Sequence, residues 1–241
     1  MLKMIMPQAV ILVGGKGTRL GQLTKSTPKP LLSVGGVPFV YHLLEKLDRY
    51  GFRDVLFLTG YLRDQFSDIK HSIKFEDLVI CFSNEDEPLG TGGALAKAHS
   101  EGLLNDRFFL INGDTFFDFD FDDFVRKGMD YGNVLAVKTG IDNRRYSRVH
   151  VDKDNLVTRF SAPSNQCLPC MVNGGAYIFE KIFDGREVQS SFSLEMDLLP
   201  KLVAEKSLWA AVYDDFFVDI GIPEDLELAR EYFSKKANVN Y

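Results

Sequence analysis

AVILVGGKGTRLGQLTKSTPKP, residues 9–30, is a run of small and branched apolar residues that breaks into glycines and then into a polar stretch with one arginine and a proline on each side of Lys29. The run AVILV reads as a buried strand and the glycines as a tight turn after it. A strand feeding such a turn is how α/β proteins bring backbone N–H groups against phosphate, because glycine lets the main chain approach closely. Ligands in these sheets lie beyond the carboxyl ends of the strands. Two familiar versions of the loop fail here. The dinucleotide pattern G-x-G-x-x-G needs a third glycine where Leu20 stands, and the P-loop needs a Gly-Lys-Ser/Thr that does not follow.

Outward from that loop the pattern alternates. PFVYHLLEKLDRYGF carries apolar residues at helical spacing and stops at Gly51, and DVLFLTG (54–60) reads as a second buried strand. Strand, loop, helix and strand in this order predict a parallel sheet with covered faces and right-handed crossovers. LVICFS (78–83), FFLINGD (108–114) and NVLAVKT (133–139) continue as strands, with helices at GTGGALAKAHSEGLL and FDDFVRKGMDY. From about 143 to 176 the texture changes to short strand candidates separated by turns, read as an antiparallel annex on the parallel sheet. SLEMDLLPKLVAEKS reads as one helix, LWAAVYDDFFVDIG as strand-rich, and IPEDLELAREYFSKK as a closing helix with Pro223 near its start. The tail ANVNY reads as frayed. The expectation is one α/β domain over 1–241 with the annex inserted.

Bulk composition narrows the partners. The chain has 241 residues, 45% of them hydrophobic with 20 Phe, enough for a substantial core. A net charge of −6, from 28 basic and 34 acidic side chains, gives no general attraction to nucleic acid or to an anionic membrane. A polyanionic ligand therefore needs a local basic cluster. No apolar run approaches the roughly 18 residues of a membrane span, and MLKMIMPQ is too short for a signal peptide; cytoplasm is the expected compartment. Three cysteines cannot build a disulfide framework. Cys167 and Cys170 have redox or zinc spacing, yet no second pair or histidine cluster accompanies them, so they read as incidental thiols.

Arg19 and Lys29 give the opening loop a purpose. An arginine fork suits the oxygens of a polyphosphate, while a lysine is a compact charge for a single phosphoryl group. Pro28 and Pro30 restrict the backbone on both sides of Lys29 and lower the entropic cost of aiming it. Asp114, ending a strand, and Asp219, with a glycine two residues on, each read alone as strand-end caps. Glu87-Pro88-Leu89-Gly90-Thr91-Gly92-Gly93-Ala94 reads alone as a flexible helix start, and Asn173-Gly174 as a turn.

Taken together, Gly14-Gly15-x-Gly17-Thr18-Arg19-Leu20, seven further residues and Pro28-Lys29-Pro30 resemble the signature of the sugar-phosphate nucleotidyltransferases, with order-matched features from residue 8 to about 233. The resemblance implies a Rossmann-like nucleotidyltransferase fold, α/β with a mostly parallel central sheet. It implies a reaction in which an NTP and a sugar 1-phosphate give an NDP-sugar and pyrophosphate, with Mg²⁺ on hard oxygen ligands. By the same resemblance Arg19, Lys29 and Asp114 are catalytic, and Asp114 and Asp219 hold the metal. Leu12, Gly14, Gly15, Gly17, Thr18, Glu87, Gly92 and Gly93 lie against the nucleotide. Asn173, Gly174 and Glu195 lie against the sugar. Glu87 could accept from the N1–H and amino group of guanine, a donor pair that uracil and thymine lack.

One departure stands out. Many relatives carry Glu-Lys in the middle of the annex, with the lysine on the sugar phosphate, whereas this chain has Val157-Thr158-Arg159-Phe160-Ser161-Ala162-Pro163. Either Arg159 or Arg144-Arg145 supplies the charge, or sugar-phosphate binding is weaker. EPLGTGGAL, NGDTFFDFDF, NGGAYIF, SLEMDLLP and FVDIGIPEDLELA look most like the members that act as D-glycero-α-D-manno-heptose 1-phosphate guanylyltransferases. Members acting on mannose 1-phosphate or N-acetylmuramate 1-phosphate are somewhat less similar. Two other classes stay open: a silent nucleotide-sugar sensor and, against the failed fingerprint, an NAD oxidoreductase. The oligomeric state is not legible.

Overall fold

The computed structural model describes residues 4–71, 75–142, 145–163, 169–185 and 190–239. Along the described chain run β1 (Gln8–Leu12), β2 (Ser33–Val34), β3 (Val37–Pro38), α1 (Phe39–Arg49), β4 (Asp54–Thr59), β5 (Val79–Asn84), α2 (Gly90–Ser100), β6 (Arg107–Asn112) and β7 (Thr115–Phe117). There follow α3 (Phe121–Tyr131), β8 (Val134–Asp142), β9 (Arg148–Val151), β10 (Val157–Ser161), β11 (Pro169–Glu180), α4 (Leu199–Ala204), β12 (Trp209–Tyr213), β13 (Phe217–Asp219) and α5 (Pro223–Val239).

The centre is the parallel set β6-β1-β4-β5. Alternation along each strand splits its side chains between two cores, as a sheet covered on both faces requires. Ala9, Ile11, Val55, Phe57, Phe109 and Ile111 join one cluster with the buried faces of α1, α3 and α5. Val10, Leu56, Leu58, Phe108 and Leu110 join the other, with α2 and α4. Phe109 meets Phe52, Phe121 and Phe124 at ring-centroid distances of 4.8 to 5.5 Å. Truncating such a ring to alanine costs about 3–5 kcal/mol, so these contacts fix where the sheet's carboxyl ends stand.

The antiparallel segment is continuous with that sheet. β11 is long enough to serve both: Ala176–Glu180 pairs antiparallel with β6, β8 pairs antiparallel along the other side from Pro169 to Ile178, and Val172 pairs with β9. β10 pairs with β9, and β12 runs parallel to β8. The register of β11 against β8 shifts between Asn173 and Tyr177, where Gly175 takes φ +69° and the Asn173 side chain accepts from Gly175 N at 2.9 Å.

Two expectations are corrected. The single helix over 193–207 is a π-helical turn, Leu194–Leu198, followed by the short α4. Pro200 has no N–H to close an α turn on Met196, and Leu198 N instead reaches back to Ser193 O at 3.3 Å. The closing helix runs through Val239, into the tail read as frayed. A further segment, Arg63–His71, is 3-10 helical and was not anticipated. Cys167 and Arg144 lie outside the described residues; Cys170 sits on β11, its thiol 3.5 Å from Ile141 O.

Candidate active site

The carboxyl ends of β1, β4, β5 and β6 open onto a cavity of about 710 Å³. Leu12, Gly14, Gly15 and Lys16 form one wall, Gly60 and Tyr61 the next, and Glu85 to Pro88 with Gly90 and Thr91 the far side. Leu58, Ala94, Asn112, Asp114 and Glu195 complete it.

The opening loop is shaped by Gly17, whose φ of +61° suits glycine. Thr24 Oγ1 donates to Gly17 O at 3.0 Å, and a Cβ on Gly17 would come 3.1 Å from Thr24 Cγ2 and 3.3 Å from Lys29 Cβ. The loop thus closes tightly over the base of Lys29. A 3-10 turn, Lys29–Leu31, begins directly after Pro28, and Leu31 N donates to Pro28 O at 2.9 Å. Lys29, only 14% exposed along its side chain, pairs with the Asp114 carboxylate. Thr18 and Arg19 follow the turn into solvent, and neither they nor Gly17 is part of the cavity wall.

Asp114 leaves β6 at Gly113, where the backbone must pass closely: Gly113 N donates to Leu12 O at 2.9 Å, and a Cβ would lie 2.5 Å from Val13 Cγ1. The next residues form β7, which pairs antiparallel with β13 and sets Thr115 opposite Asp219. Ile220 N donates to Asp114 O at 2.9 Å. Asp219 Oδ1 is buried without a hydrogen-bond partner among the described residues. Burial first and Asp114 second push the Asp219 carboxyl up to about 6, against the pull of Lys29 and Arg145. Gly221 makes room for it, since a Cβ there would come 3.0 Å from Asp219 Oδ1. Two adjacent carboxylates, one with an orphaned buried oxygen, form a donor set that fits a hard divalent cation.

Beside this pair stand two residues, one of them not anticipated. Burial, then the Asp219 charge, push the Tyr146 hydroxyl up, and its ring packs edge-on against Phe217 at 5.8 Å. Arg145 pairs with Asp225 in the first turn of α5 at 2.5 Å.

At the other end, Glu87 is exposed on the cavity rim. Glu85, unanticipated, is half-buried in the wall, accepts from Leu89 N at 3.3 Å and is pushed up by burial. Gly92 and Gly93, expected against the nucleotide, are both buried, both N–H groups donate to Phe192 O at 3.0 and 3.2 Å, and neither lines the cavity. A Cβ on Gly92 would fall 2.1 Å from the Phe192 ring, so packing is what requires glycine there. Thr91 does reach inward, donating to Glu195 Oε2 at 2.9 Å and accepting from Leu194 N at 2.8 Å. Asn173 is behind the wall, its amide donating to Tyr177 OH at 2.7 Å, and Gly174 is buried against Phe117. Arg159 is exposed on β10 opposite His150 at the sheet's edge and does not line the cavity.

The match to known proteins agrees with this geometry. A family model described as nucleotidyl transferase matches residues 8–236. The D-glycero-alpha-D-manno-heptose 1-phosphate guanylyltransferase of Campylobacter jejuni is 35% identical, over 90% of this chain and 96% of its own. Its namesake in Aneurinibacillus thermoaerophilus is 32% identical over 93% and 97%. The crystal structure of HddC from Yersinia pseudotuberculosis complexed with GMP-PN superposes with a TM-score of 0.83 at 33% identity, covering 95% of this chain and all of that one. With the glycine loop, Lys29 and two carboxylates gathered where the strands end, and with nearly the whole length matched, the chain belongs to the nucleotidyl transferase family and is a nucleotidyltransferase.

Proposed function

We propose that the chain, working as one nucleotidyltransferase unit over residues 1–241, transfers a guanylyl group from GTP to D-glycero-α-D-manno-heptose 1-phosphate, giving GDP-heptose and pyrophosphate. The carrying observation is Asp114, which lines a cavity large enough for a nucleotide and has Lys29 paired with it and Asp219 beside it on the β7/β13 ribbon. Choice of base and sugar rests on the heptose 1-phosphate guanylyltransferases that match along the whole chain. We place the reaction in the cytoplasm, the compartment read from a chain whose three cysteines cannot build a disulfide framework.

The chemistry asks for positioning and charge neutralisation rather than covalent catalysis. A phosphate oxygen of the sugar 1-phosphate attacks the α-phosphorus of GTP, the bond from that phosphorus to the bridging oxygen breaks, and pyrophosphate leaves with the electron pair. Backbone N–H groups of Gly14 and Gly15 face the triphosphate, and Arg19 swings in from solvent to its outer oxygens. Lys29 holds charge against the α-phosphoryl group. Asp114 and Asp219 would hold Mg²⁺, which when bound neutralises phosphate oxygens as charge builds on them. The carboxylate of Glu85 or Glu87 takes the guanine donors, and Glu195 with Thr91 faces the sugar side.

Pyrophosphate release with Mg²⁺, crossing GTP, UTP, CTP, dTTP and ATP with heptose, mannose, glucose and N-acetylmuramate 1-phosphates, tests the reading. Turnover confined to GTP and the heptose is the expected result. Another productive pair overturns the specificity and keeps the reaction; binding of a nucleotide-sugar without turnover of any pair replaces the enzyme with a sensor.

A further inference from the structure

We infer that Arg145, oriented by Asp225, is the cation that receives the phosphate of the sugar 1-phosphate; this rests on the nucleotidyl-transfer reading above. A sugar phosphate entering beside a triphosphate brings a second anion to a place that already holds Asp114, Asp219 and Asp225, and Lys29 is engaged with Asp114. Some further cation must meet it. Arg159 is on the edge strand opposite His150 and is not among the charges that act on Asp219. Lys138 is held by Asp214 at 2.5 Å, and Lys46 is buried against Asp118 and Phe117 O. Arg145 alone among these stands within electrostatic reach of Asp219.

Its surroundings aim it. One corner, Nη1, is committed to Asp225 Oδ2 at 2.5 Å, and the guanidinium lies 5.3 Å from the centre of the Tyr146 ring. A guanidinium carries five donors in a planar fork, so one ion pair fixes its plane and leaves an edge for a phosphate. The side chain is 34% exposed, enough for a ligand to reach it. Asp225 belongs to the helix that starts four residues after Asp219, so one short stretch of backbone places both a metal-site carboxylate and the group that orients Arg145. The geometry accounts for the missing Glu-Lys: the charge comes from the loop before β9 instead of the middle of the annex.

The test uses the full chain, with KM for each substrate measured separately and thermal unfolding in parallel. Arg145→Ala is expected to raise the sugar 1-phosphate KM about 30-fold while the GTP KM moves less than about twofold, the scale of one lost charged hydrogen bond. Arg145→Lys is expected to recover part of that loss. Asp225→Asn is expected to raise the same KM by a smaller factor, and to add nothing in the Arg145→Ala background, as a positioning residue must. An unmoved sugar-phosphate KM in Arg145→Ala overturns the assignment, and so does an equal rise for GTP. Should Arg145→Ala fold poorly, the Arg145→Lys and Asp225→Asn values decide by the same criterion. Absence of turnover by the wild-type chain with every pair would overturn the underlying reaction, and this assignment with it, which is a different result from turnover that ignores Arg145.

Discussion

Asp114 and Asp219 stand together because the ribbon β7/β13 sets Thr115 opposite Asp219, while Ile220 N closes onto Asp114 O at 2.9 Å. A two-stranded ribbon is weak by itself. Here its far end is tied: Asp118 N donates to Phe216 O, Lys46 donates to Phe117 O and Asp118, and Asp118 also receives Tyr232 and Lys236 from α5. The spacing of the carboxylates therefore depends on packing across α1, β7 and α5 as well as on the ribbon.

Asp219→Asn removes a buried carboxylate that has an unpartnered oxygen. Without metal, the variant is expected to unfold at a higher temperature than the wild type, because the desolvation cost of an unmatched charge disappears. Turnover should fall at least about 100-fold, the scale of losing a principal electrostatic contact. Adding Mg²⁺ to the nucleotide-bound protein should raise the melting temperature of the wild type further and that of the variant by much less. Near-wild-type turnover in Asp219→Asn would remove this carboxylate from the metal site.

Much of this was legible from sequence, for a physical reason. The glycine loop, Lys29, Asp114 and Asp219 belong to short stretches whose residue types are constrained locally, by a left-handed φ at Gly17 or a close backbone pass at Gly113. Tyr146, Glu85 and Tyr61 carry no such mark: Tyr146 is placed by a loop folding back on β13, Glu85 by its N–H on Thr59 O just past β5, and Tyr61 by the turn that leads into the 3-10 segment, its hydroxyl donating to Lys25 O at 2.9 Å. Gly92 and Gly93 misled for the opposite reason. Glycines beside a cavity suggest close approach to a ligand, and here the close approach is to the Phe192 ring at Gly92 and to Leu89 and Ser190 at Gly93. Arg159 was attractive by its place in the annex, but sheet order carries β10 to the edge.

Gly17→Ala puts a side chain where φ is +61° and where Thr24 and Lys29 crowd the Cβ. A loss of about 1–2 kcal/mol in unfolding free energy is expected from the backbone conformation. Because the loop closes on Lys29, kcat should fall more steeply than stability accounts for. The check is urea unfolding together with steady-state kinetics. Unchanged kcat in a destabilised variant would show that the loop tolerates the shift and does not set the aim of Lys29.

Lys46 is 3% exposed, and burial lowers its pKa to about 8 in spite of the opposing pull of Asp118. The folded protein therefore gives up this proton before the unfolded chain does, so between pH 8 and 10.5 the unfolded state binds more protons and stability due to this group rises with pH. The full effect is on the order of 3 kcal/mol. Tyrosines that ionise in the same range act in the opposite direction, so the comparison is with Lys46→Met. The difference in unfolding free energy between wild type and variant should shift toward the wild type from pH 7.5 to 9.5. A difference that stays flat over that span would show that Lys46 is solvated better than its burial indicates.

Glu85 and Glu87 divide the question of base choice. A carboxylate discriminates between bases only when water cannot replace the missing partner at no cost, because the penalty of an unmatched group comes from its desolvation. Glu85 is half-buried beside Gly14 and Gly60, and burial already holds its carboxyl above the usual range. Glu87 is exposed on the rim, where water competes for every contact. Glu85→Gln keeps an acceptor for Leu89 N while removing the charge, so the backbone there should hold. It is expected to cut the preference for GTP over ATP, measured as the ratio of kcat/KM values, by about tenfold or more, the scale of one charged hydrogen bond. Glu87→Gln is expected to change that ratio by no more than about threefold. The reverse ranking would return guanine recognition to Glu87 and make Glu85 a structural clamp between the glycine loop and the start of α2.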